Sequence, residues 1–184
     1  HYQRVSEEKT QQTLHTAVDV MQRYFTGREI DPKIKVLMVD DGSTQKTPTG
    51  ECASQGNDAE ASQYGKEHRH LSGGKENGWC SDFLACVWCK HFRTVADPEH
   101  VWQLLSYRDY VLTDMAASIS DIENNEFQQE AITALHQRVD DILEQVAIKN
   151  PKAVTKGKEL MAEKGMHPFW AFAVTSVKTV GDIL

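Results

Sequence analysis

Four cysteines stand in this chain of 184 residues, three of them within Cys80-Ser81-Asp82-Phe83-Leu84-Ala85-Cys86-Val87-Trp88-Cys89. A C-x2-C turn lets two thiolates converge on one soft, four-coordinate cation, and Cys80 with the distant Cys52 can complete a tetrahedron. The pattern predicts one structural Zn2+ held by Cys52, Cys80, Cys86 and Cys89. Such a site is closed, with no open position for water and hence no hydrolytic role. It would tie Thr47-Pro48-Thr49-Gly50-Glu51-Cys52 to the segment around Cys86, across a stretch that otherwise looks too polar to fold. Buried thiols, a disulfide and a redox C-x2-C are the competing readings; the redox motif belongs in a strand-to-helix context that Leu84 to Phe92 does not clearly provide. His91, His68 and His70 are further ligand candidates, left out because four thiolates already close the site. Trp79 and Trp88 flank the cysteines and are expected to roof the metal rather than stack on a base.

The rest of the chain must position those thiols. Composition places it among soluble globular chains, long enough for one ordinary core or two small ones. No apolar run reaches membrane-spanning length, and His1-Tyr2-Gln3-Arg4 is no signal peptide, so a reducing cytoplasm is the expectation and favours metal over disulfide. A first residue other than Met, in what reads as helix, suggests a piece of something longer. The net charge of −7 argues against a surface built wholly for nucleic acid. Between Asp97 and Asn150, eleven Asp and Glu stand against Arg108, Arg138 and Lys149, a local −8 that leaves the remainder at +1. That region is not expected to face phosphate; it is a solvated helix surface or a face for a basic partner. The acid pairs Asp40-Asp41 and Asp140-Asp141 read as surface charge.

Ser6 with Glu7 and Glu8 starts a helix to about Leu14, and Thr16 with Asp19 starts a second, with Ala17, Val20, Met21 and Tyr24 on one face and Gly27 as its stop. Ile34 to Val39 is β-branched and bounded by Pro32 and Asp41-Gly42, the signature of a strand; Ser43 to Gly78 reads as a long polar loop. Asp97-Pro98-Glu99 opens a long helix to about Ser118 carrying Val101, Leu104, Leu105, Arg108, Val111, Leu112 and Met115. Phe127, Ala131, Leu135, Val139, Ile142 and Val146 mark a second, stopped before Pro151, and the two are expected to pack antiparallel. A shorter helix is expected over Lys156 to Lys164, closed by Gly165. Phe169, Trp170 and Phe172 are either a core-docking end or a contact patch.

Two groups of these residues resemble a family. Leu14-His15, with Tyr24 nine residues beyond the histidine, resembles the end of the catalytic domain of tyrosine recombinases (phage integrases), where a Leu-Gly-His turn precedes the nucleophilic tyrosine; here Thr13-Leu14 replaces the family's Leu-Gly. Independently, Thr47-Pro48-Thr49-Gly50-Glu51-Cys52, then Ala85-Cys86-Val87-Trp88-Cys89, then Asp97-Pro98-Glu99-His100 resemble the cysteine-rich extension many bacterial members carry, apart from a longer polar insert between Cys52 and Cys80. Together they cover roughly residues 10 to 115.

The resemblance implies that Tyr24 attacks a DNA phosphodiester and forms a 3′-phosphotyrosine, with His15 as a hydrogen-bond donor to the phosphate. A phenol titrating near ~10 is a weak nucleophile, so positive charge around the phosphate must help it. The family's arginines and lysine have no match here; His1-Tyr2-Gln3-Arg4 has the form of its His-x-x-Arg box but stands too close to His15. They are expected upstream, so the fragment alone is not expected to catalyse. The alternative reading of Tyr24 is a core aromatic on its helix stripe.

The expected fold class is mainly α: recombinase catalytic-domain helices over 1–33, a strand, polar loop and zinc-binding segment over 34–96, and an acidic helical hairpin with a C-terminal helix and tail over 97–184. The expected function is that of the C-terminal part of a site-specific recombinase, its zinc extension serving assembly. DNA, through the parent protein, and other protomers are the partners, with no membrane and no small-molecule cofactor. A stand-alone zinc-binding interaction module and a thiol-redox protein using Cys86 and Cys89 are the alternatives.

Overall fold

An aspartate followed by proline cannot continue a helix backwards but is well made to begin one, and the helical half of the molecule starts there. Asp97 is extended and its Oδ1 accepts from the backbone N–H of His100 at 2.9 Å, with Pro98 at the first helical position. The computed structural model describes residues 31–40, 42–54, 59, 86–120 and 126–171, mostly helix with one small sheet. The two helices expected between Ser6 and Tyr24, and most of the polar stretch before Cys86, lie outside the described residues.

Helix α1 (Pro98–Ser106) runs into a π-helical stretch (Tyr107–Leu112) and then α2 (Thr113–Ser120). The continuous α-helix expected here is therefore broken in phase. A π turn takes up an additional residue and rotates the apolar face, so Tyr107 and Leu112 are fully buried while Arg108 and Val111, both expected on the stripe, are only half-buried. The inserted turn seats Tyr107 against Trp170, ring centroids 5.2 Å apart.

Helix α3 (Glu126–Lys149) buries Ala131, Leu135, Val139, Ile142 and Val146 as the periodicity predicts; Phe127 is only half-buried, and Arg138 joins the buried face. Helix α4 (Pro151–Lys164) begins five residues before the expected start. Asn150 caps it, its side chain accepting from Ala153 N at 3.3 Å, so Pro151 that ends one helix also occupies the first turn of the next. It closes at Gly165, whose N–H returns to Met161 O at 2.9 Å.

The two helical runs expected to pack together do so over the later part of the first, and a third helix joins them. α1 packs most extensively on α4, while the π stretch and α2 lie against α3. Gly157 explains the preference: a Cβ there would come within 2.4 Å of Val101 Cγ1 and 3.0 Å of Pro98 O, so only glycine lets α4 approach so closely.

The sheet has the order β1-β4-β3-β2, with β1 (Val36–Leu37) parallel to β4 (Phe92–Val95) and β2 (Gln45–Lys46) and β3 (Glu51–Cys52) forming an antiparallel hairpin. The strand expected over Ile34 to Val39 is cut to two residues. Part of the stretch expected as loop is a hairpin instead, because Thr47 and Gly50 exchange backbone hydrogen bonds across the Pro48-Thr49 turn. Gly50 is needed against β4, since a Cβ there would fall 2.4 Å from the Phe92 ring.

Val87, Trp88, Phe92 and Ala96 belong to the same apolar cluster as Leu104, Tyr107, Val139 and Ile142, so the segment carrying Cys86 and Cys89 rests on the helical core. Trp170 docks into that core with its indole N–H on Gln103 O at 2.9 Å, whereas Phe169 is 39 % exposed; Phe172 lies outside the described residues. Among the described residues no helix is long and apolar enough to cross a membrane.

Candidate metal centre

The four expected zinc ligands come from three segments, and two of those segments are neighbours. Cys52 ends β3 and is paired with Phe92, while Ala53 N–H donates to His91 O at 2.9 Å, so the Cys52 strand lies beside the chain that leaves Cys89. Cys86 to Trp88 form one 3-10 turn, and Cys89 N–H bonds back to Cys86 O at 2.9 Å, the tight geometry that brings the ends of a C-x2-C run together. Cys86 Sγ donates to Thr47 Oγ1 at 3.9 Å, linking the knuckle to the hairpin turn directly. Cys52, Cys86 and Cys89 are each half-buried, and Cys52 Sγ lies 3.0 Å from Ser54 Oγ.

Three soft donors on two adjacent elements suit zinc in kind and in backbone placement. The thiols are not drawn to one point: among the described residues no three His, Cys, Asp or Glu side chains gather as a metal-holding group. Cys80, the fourth expected ligand, lies outside the described residues, as do His15, Tyr24, His68, His70 and Trp79. Trp88 is 1 % exposed and belongs to the apolar core, its indole Nε1 without a hydrogen-bond partner among the described residues.

Charge at the knuckle comes from a residue that sequence reading passed over. Arg138 on α3 is 1 % exposed and lies with its guanidinium carbon 4.5 Å from the Trp88 ring centre. Its Nε donates to Val87 O at 3.0 Å, Nη1 to Pro32 O at 2.6 Å and Nη2 to Asp31 O at 3.0 Å. Burial pulls the guanidinium down to about 10 against the opposing pull of Asp141 and Asp31. The signal was legible: Arg138 is a charge set inside an apolar stripe, between Leu135 and Val139.

A second feature, also unforeseen, is a cleft of about 380 Å³ between the β2–β3 hairpin and the start of α1, lined in part by Glu51, Glu99, His100, His167 and Phe169. Glu51 is 2 % exposed and accepts from the Thr44 hydroxyl. His167 pairs with Glu99 at 2.9 Å and sets its ring edge-on to Trp102. Burial pushes the His100 imidazole down to about 4, with Lys46 and His167 adding to the fall and Asp97 and Asp40 opposing it, and its Nε2 has no hydrogen-bond partner among the described residues.

Compared with known proteins, the chain matches no protein-family model, no curated protein and no solved structure.

Proposed function

We propose that this chain is the C-terminal part of a tyrosine-type site-specific DNA recombinase, in which Tyr24 is the DNA-linking nucleophile, His15 a donor to the phosphate, and the cysteine-bearing sheet a zinc-stapled extension used in assembly. The observation that supports it is the juxtaposition of the two elements that the resemblance pairs: the Thr47 to Cys52 hairpin is paired with the strand that follows the Cys86 to Cys89 turn, and Cys86 Sγ reaches Thr47 Oγ1. Zinc would supply cross-linking there and no chemistry on substrate. Cys52, Cys86 and Cys89, with Cys80 from outside the described residues, would hold it.

The acidic outer face of α3, with Glu126, Glu130, Asp140 and Glu144 exposed, suits protein contact better than DNA. The ion pair there between Asp140 and Arg108 Nη1, at 2.7 Å, is solvent-facing and worth little to stability. The extension's partners in this reading are other protomers of the recombinase.

The test is Tyr24→Phe in the parent protein with a nicked suicide substrate. One oxygen is lost, so stability is expected to hold within about 0.5 kcal/mol while the covalent protein–DNA adduct disappears. An adduct that persists removes Tyr24 from the role. The same juxtaposition also favours a second reading, a zinc-binding interaction module without catalysis. In that case the parent reading frame upstream of His1 has no Arg, Lys and His-x-x-Arg boxes, and wild-type protein forms no adduct.

A further inference from the structure

Four carboxylates and one ammonium line the cleft between the β2–β3 hairpin and the start of α1: Asp40, Glu51, Asp97 and Glu99 against Lys46. With both lining imidazoles neutral the balance is −3, and a proton on His167 beside Glu99 still leaves −2. Burial holds His100 neutral at pH 7, so that ring adds no opposing charge. Three of the acids are engaged through one oxygen only. Asp97 Oδ1 accepts from the His100 N–H, Glu99 Oε1 pairs with His167 Nε2, and Glu51 Oε2 accepts from the Thr44 hydroxyl. Asp97 Oδ2, Glu99 Oε2 and Glu51 Oε1 accept from no donor among the described residues.

Glu51 is the least expected of the three. It is 2 % exposed, and a carboxylate so deep ordinarily has a cation beside it. The nearest candidate is drawn elsewhere: Lys46 is its register partner in the strand pair, yet Lys46 Nζ goes to Asp40 at 3.5 Å with its side chain 83 % exposed. Among the described residues Glu51 has a hydroxyl partner and no ion pair. We propose that this cleft binds an organic cation, a guanidinium or ammonium on an aliphatic stem, with Glu51 as the buried counter-charge, Asp97 and Glu99 as further acceptors and Phe169 as an aromatic wall. Neither zinc nor Tyr24 enters into it. A guanidinium suits the lining best, because it offers five N–H donors to several unclaimed oxygens and a plane that can lie on an aromatic face. Phe169 is 39 % exposed and packs edge-on against buried Trp170 at 5.0 Å, which fixes the ring while leaving part of it open. At about 380 Å³ the cleft stands near the lower end of ligand sites, ~300–1,000 Å³, room for one side chain or a small amine, and its sign repels phosphate.

The experiment is isothermal titration calorimetry on the full chain under reducing conditions at pH 7 and about 0.1 M salt. The probes are a capped tripeptide with a central arginine, the same peptide with citrulline, which keeps the shape and loses the charge, and agmatine as a free guanidinium. The arginine peptide is expected to bind at least tenfold more tightly than the citrulline peptide. Glu51→Gln keeps the side chain's bulk and removes the charge, so it is expected to weaken the arginine peptide about tenfold, the scale of one charge-assisted hydrogen bond. Glu144→Gln, on the acidic outer face of α3, is expected to change nothing. If Glu51→Gln does not fold, the exposed Glu99→Gln takes its place with an expected loss of about threefold. Agmatine bound as tightly as the peptide upholds the cleft as a site for free amines, and a peptide at least tenfold tighter upholds it as a site for a basic side chain of another protein. Equal binding of the arginine and citrulline peptides overturns the proposal, as does the absence of any binding tighter than about 1 mM. An equal loss on Glu144→Gln also overturns it, because the attraction would then belong to the acidic surface at large.

Discussion

The helical part of the molecule and the cysteine-bearing sheet are held by different physics. α1 and α3 bury continuous apolar faces, among them Val101, Leu104, Leu135, Val139, Ile142 and Val146, all at or near zero exposure, and α4 packs on them through Ala153 and Gly157. The sheet has three strands of only two residues, and its apolar share of the core comes from β4 and the turn before it, through Val87, Trp88, Phe92 and Val95. Its outer strands are fastened besides by helix side chains reaching out to main-chain carbonyls. Arg138 takes those of Asp31, Pro32 and Val87, Gln103 Nε2 takes Pro48 O at 2.7 Å, and Asn150 Nδ2 takes Ala96 O at 2.8 Å. The helical part is thus a platform and the sheet a dependent. In the zinc reading proposed above, a metal would be the further device by which so thin a sheet gains stability of its own.

Removing that device separates the two most sharply. Zinc binding contributes on the order of 10 kcal/mol to folding in small thiolate sites, so Cys86→Ser is expected to unfold Lys46 to Phe92 while α3 and α4 keep their amide protection. Hydrogen exchange resolved by segment reads this directly, alongside elemental analysis of the wild type. Absence of stoichiometric metal, with the thiols alkylated freely in the native protein, removes the metal from the comparison and leaves the carbonyl contacts and the packing of β4 to hold the sheet.

The next effect lies at the seam. His100 has a folded-state pKa near 4 against an ordinary value near 6.5, so between those pH values the unfolded chain holds a proton that the folded one does not. Its contribution is therefore fully present above about pH 6.5 and is lost as pH falls toward 4, by up to about 3 kcal/mol. Other groups titrate in the same window, so the readout is a difference: His100→Phe keeps the ring volume, and its stability curve is expected to be flatter than wild type over pH 6.5 to 4. Parallel curves would show that the imidazole protonates without penalty in the cleft.

Legibility in the sequence followed the same division. Helix ends were readable because their determinants are local: Asp97-Pro98 as a start and Gly165 as a stop each act within one turn of chain. The buried face of α3 was readable from periodicity. The π stretch was not, because the force that pays for it is the docking of Tyr107 on Trp170, a residue remote in sequence. The hairpin was missed since its two-residue strands leave no period to detect, and β4, only four residues long, because its pairing is decided by partners some forty residues or more away. At the candidate metal centre, ligand type and spacing were legible, and Cys52 does lie beside the Cys86 to Cys89 turn. Arg138 was overlooked because it was counted as surface charge, although its place within the apolar stripe marks it as buried.

The smallest effect tests whether the sheet is a dependent at all. Gln103 Nε2 donates to Pro48 O in the hairpin turn, and both residues are half-buried, so the bond is worth about 1 kcal/mol net. Gln103→Leu keeps the side chain's bulk and removes the donor. If the hairpin is fastened locally, the cost falls on local opening: the Gly50 N–H, which bonds back to Thr47 O at 3.3 Å, is expected to exchange about fivefold faster, with the unfolding of α3 and α4 unchanged. If the whole molecule is one cooperative unit, the same loss appears instead as a drop in global stability with uniform change in exchange, as a core truncation such as Ile142→Ala would give at about 2–5 kcal/mol. In that case the sheet shares the helices' stability, and its pairing near Cys52 is sustained by the common core without the carbonyl contacts acting as separate fastenings.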